Sequence, residues 1–479
     1  MSKNVELVFV PSFGVTHIIP TVELAKRLVK RDERFSITFL IIPEPSGLIP
    51  QAYIDSVTNS VNHIRFTILE RADVPPPGFE TGIPFISLYI KNHLPHVKKA
   101  ITNLISDSNN SGSVRLVVDM FATTMIDVAN ELSIPSYLYF TSCAASLGVL
   151  LHLPTLDSEI EDELLEYSSE LNLPSYINPV PTLALPDIML SKKSDGYKWY
   201  LHHGSRFRDT KGIIVNSVTE LEPHAVHAFN HVFSGIPPVY LVGPSLDLEA
   251  KKHPESTRAH YDQIMRWLDD QPKSSVIFLC FGSRGTLSVP QVKEIAIGLE
   301  RSGQRFLWSL RSPPKTNFEK PSDYSNPEEV LPDGFLQRME GRGLVCGWAP
   351  QVEILAHKAT GGFVSHCGWN SILESLWFDV PILTWSLDAE QKLNGFELVK
   401  DLGLAVEVKD ERDDLVVAEV IERGVRSIIM EDGDGGGGGG GEVRRKVKEM
   451  SKKCREAVME GGSSWFTLGC LVEDLINIQ

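Results

Sequence analysis

Residues 365–371 read SHCGWNS. They close an apolar run that begins GWAPQVEILAHKATGGFV at 347, and from 370 the chain continues NSILESLWF. A strand therefore runs into a helix through a turn of small and polar residues. A helix start presents unpaired backbone N–H groups and the positive end of its dipole, and such a corner binds anions, phosphates above all. Asn370 and Ser371 are expected to cap the helix while also donating to phosphate oxygens, with His366 as a further donor beside them. Glu374 falls one turn further along the same face as Asn370, where a carboxylate suits the two hydroxyls of a ribose. Taken alone, Asn-Ser at a helix start is an ordinary cap, so the weight of this corner depends on the rest of the chain.

Working outward, GGFVSHC sits in a series of short apolar runs: SVIFLCFGS (275–283), RFLWSLR (305–311), GLVCGW (343–348), VPILTW (380–385) and LAVEV (404–408). Segments of helical periodicity separate them, among them SVPQVKEIAIGLERSG (288–303) and DAEQKLNGFELVKDLG (388–403). The same alternation fills the first half, with VELVFVPS (5–12), FSITFLII (35–42), IRFTIL (64–69), VRLVVDMF (114–121) and SYLYFTS (136–142) as strands. Near-continuous apolar strands between helices indicate parallel sheets covered on both faces. Two successive doubly wound α/β units follow, with ligands expected where the strand ends open. PSLDLEAKKHPES is polar and carries two prolines, so 244–256 reads as the linker between a domain at 1–243 and another at 257–455, with 456–479 as a final helix packing back on the first.

Bulk properties agree with this reading. A chain of 479 residues is too long for one ordinary core. Its net charge of −16 argues against nucleic acid and anionic membranes, because no basic surplus exists to neutralise phosphates. Six scattered cysteines without a CxxC pair suggest reduced thiols. No signal peptide and no apolar stretch approaching the ~20 residues of a membrane span is evident, which suggests a cytoplasmic protein. EDGDGGGGGGGE (431–442) carries seven consecutive glycines and reads as a flexible surface loop; Asp432 and Asp434 within it lack the further spaced oxygens of a calcium loop.

From Trp348 to Gln391 the chain closely resembles the donor-binding signature of plant UDP-sugar-dependent glycosyltransferases acting on secondary metabolites. GIIVNSVTELE, VYLVGPSL, WLDDQP and FGSRGTLSVPQVKEIAIGLERSGQRFLWSLR extend the resemblance over essentially the whole chain. It implies a GT-B fold, two Rossmann-like doubly wound parallel-sheet domains facing a central cleft. It also implies residue roles. Trp348 stacks on uracil with Gln351 beside the base, Glu374 holds the ribose, and Ser283, His366, Asn370 and Ser371 contact the diphosphate. Trp369, Glu390 and Gln391 read the sugar, Thr141 reaches it from the N-terminal half, and Ala349 and Gly368 complete the donor set. The donor implied is UDP-glucose, as a co-substrate, with no metal required.

PSFGVTHIIP (11–20) resembles the family's loop bearing the catalytic histidine, which puts His17 at the end of the first strand, and Asp119 in VVDMF matches the carboxylate partner. An imidazole titrating near neutrality can deprotonate an acceptor hydroxyl, and a carboxylate on its other nitrogen fixes the tautomer. The expected reaction is attack at C1 of UDP-α-glucose with inversion, giving a β-glucoside. Phe13, Phe121, Phe140 and Met189 are expected to wall the acceptor, a flavonoid, another phenolic or a terpenoid, with Asp388 near both sugar and acceptor. His93 and His96 have metal-like spacing but read as a surface loop or pocket rim, and His357 as structural.

Four positions depart from the family pattern. Thr16 stands where glycine usually precedes the catalytic histidine, Asp379 where glycine precedes Val380, Ser386 where proline follows Trp385, and Asp388 where an aromatic is usual. They motivate an alternative, a UDP-sugar-binding protein with lost or altered turnover. A nicotinamide dehydrogenase is disfavoured because VPSFGVTH lacks a GxGxxG fingerprint. A monomer is expected.

Overall fold

The computed structural model describes residues 4–44, 51–75, 82–106, 114–165, 170–248, 255–314, 319–408, 415–429 and 440–477. The aspartates at 432 and 434, and the first glycines of the run at 435–441, lie outside them, as does 249–254 of the linker. Two compact units are present. One comprises Met1–Thr182, Ile188–Asp247 and Glu456–Gln479, the other Leu183–Asp187 and Leu248–Arg455. The sequence-based boundary at 243 thus shifts by a few residues, and the first domain is interrupted by the short segment Leu183–Asp187.

The first unit is a seven-stranded parallel sheet of β1 (Val5–Val10), β2 (Phe35–Ile41), β3 (Ile64–Ile68), β4 (Val114–Asp119), β5 (Ser136–Phe140), β6 (Ile213–Val215) and β7 (Val239–Leu241), in the order β3-β2-β1-β4-β5-β6-β7. The second unit repeats the plan with β8 (Val276–Cys280), β9 (Arg305–Ser309), β10 (Gly343–Cys346), β11 (Thr360–Ser365), β12 (Ile382–Thr384) and β13 (Ala405–Glu407), in the order β10-β9-β8-β11-β12-β13. Both are doubly wound. In each, the order reverses beside the first strand, between β1 and β4 and between β8 and β11, and ligands of such sheets bind outside the carboxyl ends at this switch point.

Burial on both faces explains why the strands are so uniformly apolar: every residue of β1, β4, β5, β8 and β11 is buried. Glu6, the second residue of β1, is the polar exception within that strand, and it is paired with Arg65 at 2.9 Å and accepts from Thr38 Oγ1 at 2.6 Å. The helix α1 (Val15–Arg31) lays Ile18, Val22, Ala25 and Leu28 against this sheet. Leu468, Leu471, Val472 and Leu475 of the last helix join the same core, and Arg115 Nε donates to the Leu475 carbonyl at 3.2 Å.

The helix α2 (Ala144–Glu159) follows β5, and its start is closed from within the unit. The buried carboxylate of Glu222 accepts the N–H groups of Ala144 (2.9 Å) and Ala145 (2.6 Å) and the Ser217 hydroxyl. Cys143 Sγ accepts the N–H of Ser146 at 3.2 Å. Among the described residues no helix is long and apolar enough to cross a membrane.

Candidate active site

Gly14, with φ of 107°, turns the chain out of β1 into α1, so His17 is not at the strand end but in the first turn of the helix, its N–H bonded to the Gly14 carbonyl at 3.2 Å. The left-handed backbone falls on Gly14, a residue that tolerates it, and Thr16 lies within the helix. The β-branched residue before the histidine therefore imposes no strain.

His17 Nδ1 lies 2.8 Å from Asp119 Oδ2 at the end of β4, across the switch point, and 3.3 Å from Thr141 Oγ1. The other carboxylate oxygen of Asp119 accepts from Ser12 Oγ (2.5 Å) and from the Phe121 N–H (3.0 Å). Burial pushes this carboxyl up. The positive charge His17 can carry, with hydrogen bonds from His17, Ser12 and the Phe121 N–H, outweighs burial and holds it below the usual carboxylate range. An ionised acceptor at Nδ1 keeps a proton there and leaves Nε2 as the basic nitrogen. The imidazole side chain is 19% exposed, accessible to a substrate yet anchored.

The Phe121 ring stands 5.6 Å from the His17 ring and 5.9 Å from that of His203. His203 has no sequence signature. It is buried with Nε2 2.8 Å from Ser87 Oγ and Nδ1 2.7 Å from Thr123 Oγ1, and burial pushes its pKa down to about 3, so it is a neutral brace behind Phe121. Phe13 is partly exposed and packs edge-on against Tyr89 at 5.7 Å. Phe140 and Met189 are both 1% exposed. Phe140 is the last residue of β5 and packs on Phe207 at 6.0 Å, so these two belong to the packed interior and not to an open wall. His93 is likewise buried, not on a loop. It accepts from the Ala72 N–H at Nε2 (3.2 Å) and bonds the Tyr89 carbonyl through Nδ1 (2.8 Å), which uses both nitrogens and leaves none for a metal.

In the second unit, α3 (Trp369–Trp377) follows β11. Its cap is Gly368 and makes no side-chain hydrogen bond; Asn370 and Ser371 lie inside the first turn and do not cap it. Their placement corrects the sequence reading, because the cap falls at Gly368, two residues before Asn370. His366 fills the space beneath this turn. A Cβ on Gly282 would lie 2.6 Å from its Nε2, and one on Gly368 2.5 Å, so two glycines on separate loops are required by one ring. Burial pushes the His366 pKa down to about 4, partly offset by a backbone hydrogen bond at Cys280. Its contribution at neutral pH is a dipole, not a cation.

Gln351 Nε2 donates to Ser371 Oγ (2.8 Å) and to Glu374 Oε2 (2.7 Å), tying the helix Gln351–Ala356 to α3. Trp348 is 43% exposed, an apolar plate with an accessible face, whereas Trp369 at 3% and Ala349 at 7% are buried. Buried at the start of α3, the Trp369 indole is a packing group; what it offers a ligand is its backbone. Ser283 is exposed in the loop after β8. His357 accepts the Ala359 N–H at 3.2 Å and faces Asp269 at 3.3 Å, a structural role.

Sequence reasoning missed Asp323. Its carboxylate accepts the Trp348 N–H at 3.0 Å, pairs with Arg311 at 3.1 Å, and fills the space a Cβ on Gly347 would need. His260 Nε2 lies 3.0 Å from the Trp348 carbonyl. The exposed indole is thus held by its backbone on both sides. If Trp348 stacks on uracil as the resemblance implies, Asp323→Ala is expected to weaken UDP binding about tenfold, the loss of one hydrogen bond to a charged group, measured by titration calorimetry.

The departures at 379, 386 and 388 have structural accounts. Asp379 has φ of 61° at the position after the cap of α3, where the Asp379 N–H bonds Leu376 O (3.3 Å) and the Val380 N–H bonds Ser375 O (3.0 Å). This is a Schellman ending, which favours glycine. Arg455 compensates, donating to the Trp377 carbonyl at 2.5 Å and pairing with Asp379 at 3.2 Å. The pair is partly exposed and worth little, so Asp379→Gly should stabilise the unit by about 0.5–1 kcal/mol through relief of left-handed strain, read as a higher melting temperature. Ser386 and Asp388 both bond Gln391. Ser386 Oγ donates to the Gln391 carbonyl at 3.0 Å, and Gln391 Nε2 donates to Asp388 Oδ1 at 3.0 Å. The Gln391 amide is therefore oriented by its own loop, with Oε1 accepting from the Leu387 and Asp388 N–H groups and Nε2 directed at Asp388. Glu390 stands at the residue before the short helix Gln391–Phe396 and makes no side-chain hydrogen bond to its first turn.

Two doubly wound units, one carrying a histidine–carboxylate pair and the other an uncapped helix start with an aromatic plate and a carboxylate, define a nucleotide-sugar-dependent transferase of the GT-B fold. The chain belongs to the family of plant UDP-glycosyltransferases. Residues 240–425 match the family described as UDP-glucoronosyl and UDP-glucosyl transferase. The chain is 49% identical to UDP-glycosyltransferase 71K2 of Pyrus communis, over 99% of this chain and 98% of that protein. It is 45% identical to flavonol 3-O-glucosyltransferase UGT71C4 of Arabidopsis thaliana, over 100% and 99%. A crystal structure of Medicago truncatula UGT71G1 complexed with UDP-glucose superposes with a TM-score of 0.89 at 42% identity, covering 99% of both chains.

Proposed function

We propose that this UDP-glycosyltransferase moves glucose from UDP-glucose to a hydroxyl of a small hydrophobic acceptor, a flavonoid, another phenolic or a terpenoid, with inversion to a β-glucoside. The observation that carries this reading is the 2.8 Å contact between His17 Nδ1 and Asp119 Oδ2, which leaves Nε2 basic. Nε2 takes the acceptor proton as the oxygen attacks C1, and UDP departs from the opposite face. Asp119 stabilises the imidazolium as it forms.

In this scheme Trp348 stacks on uracil, Gln351 holds Glu374 against the ribose, and the N–H groups at the start of α3, with Ser283, Asn370, Ser371 and neutral His366, take the charge developing on the diphosphate. Thr141, beside the base, and Glu390 and Gln391 serve the sugar. Phe13 and Phe121 flank the base and receive the acceptor. The scheme requires no metal. Glucose as donor is supported by the relative solved with UDP-glucose, and a phenolic acceptor by the relative named as a flavonol 3-O-glucosyltransferase.

The test is an acceptor panel with mass detection, run with UDP-glucose, UDP-galactose and UDP-xylose. Acceptor-dependent UDP release with a β-glucoside product is the expected result. Donor binding without release identifies a binding protein instead.

A further inference from the structure

The loop between β12 and the helix Gln391–Phe396 departs twice from the family pattern, at Ser386 and Asp388, and both residues converge on Gln391. The Gln391 Oε1 accepts the N–H of Leu387 at 3.0 Å and that of Asp388 at 3.3 Å. Two backbone donors occupy both lone pairs of that oxygen and fix the amide orientation, since a flipped amide would set N–H against N–H. The Nε2 is thereby directed at Asp388 Oδ1, 3.0 Å away. Ser386 Oγ on the Gln391 carbonyl and the Gln391 N–H on the Asp388 carbonyl (3.3 Å) close the loop, and Ala389 takes φ of 53° to complete the turn. Lys392, next in the chain, is tied to Asp187 at 2.7 Å.

This arrangement engages one amide hydrogen of Gln391 and one carboxylate oxygen of Asp388 with each other. That pairing leaves the amide a second hydrogen to donate and the carboxylate a second oxygen to accept, on two side chains already held together. Adjacent hydroxyls on a pyranose present the complement: one oxygen accepts the amide hydrogen, and the neighbouring hydroxyl donates to the carboxylate. An aromatic side chain at position 388 supplies neither function.

We propose that Asp388 and Gln391 form one hydrogen-bonding unit that reads two neighbouring hydroxyls of the transferred sugar, with Asp388 as a specificity-determining residue. This rests on the reading of the protein as a UDP-glucose-dependent transferase, and it makes the identity of residue 388 part of donor choice. The Asp388 side chain is exposed, so its replacement leaves the core intact.

Asp388→Ala and Asp388→Asn, compared with wild type, provide the test, with circular dichroism to verify folding. Asp388→Ala is expected to raise KM for UDP-glucose about tenfold, the effect of losing a hydrogen bond to a charged group. Affinity for UDP alone, measured by calorimetry, stays at the wild-type value, and the preference for UDP-glucose over UDP-galactose falls. Asp388→Asn still accepts from Gln391 through its amide oxygen, so it should hold Gln391 in place and raise KM less than the alanine variant. Wild-type KM and wild-type sugar preference in Asp388→Ala would overturn the proposal while leaving the transferase reading intact. Wild-type protein that binds UDP with no additional affinity for any UDP-hexose would overturn both.

Discussion

His17→Ala is expected to lower kcat for transfer to ordinary alcohols and phenols by about 10²–10⁴-fold, the usual contribution of a positioned general base such as the one proposed above. UDP affinity stays close to wild type in calorimetry, because Trp348, Gln351, Glu374 and the start of α3 do not depend on this ring. The loss should shrink with acceptor acidity: a nitrophenol, already largely ionised at neutral pH, needs less help than an aliphatic alcohol. A flat dependence on acceptor pKa, or undiminished turnover in the variant, would point to a different base.

Asp119→Asn should be nearly as damaging, for a reason the geometry supplies. The asparagine oxygen can still accept from Ser12 and the Phe121 N–H, which turns the amide NH₂ toward His17 Nδ1. Nδ1 must then act as acceptor, the ring proton moves to Nε2, and the nitrogen needed as base is blocked. A fall of about 10³–10⁴-fold in kcat is expected. The carboxyl also links stability to pH. Its pKa is lower folded than unfolded, so its contribution is present above the ordinary carboxylate pKa, about 3.9, and is lost as pH falls through the folded value. Wild type should therefore lose stability more steeply than Asp119→Asn below about pH 4, measured by thermal melts across pH. Identical acid slopes would show that folding leaves the Asp119 pKa at its unfolded value.

The parallel sheets were legible in the sequence because strands buried on both faces are written in unbroken apolar runs, as in VELVFV and VIFLC. So were Asp119 at a strand end and the corner at 365–371. What escaped is what depends on backbone angle or on distant partners. His17 was expected at the end of the first strand and lies in the first turn of the helix, because Gly14 turns the chain three residues earlier. The cap of α3 went to Asn370 and Ser371 for the same kind of reason, a boundary displaced by a glycine. Ser12 meets Asp119 across 107 positions, and His203 meets Ser87 across 116. No local pattern predicts such contacts. Phe140 and Met189 show the converse: an apolar residue at a strand end or in a loop reads equally well as pocket wall or as core, and only packing decides.

Glu222 divides the labour between two copies of one architecture. Both halves place a helix directly after a strand, and so both offer the same positive pole. In the first half a carboxylate from elsewhere in the chain neutralises that pole; in the second, the glycine cap adds no side-chain counter-charge. On the proposed scheme this internal counter-ion biases an anionic ligand toward the second module.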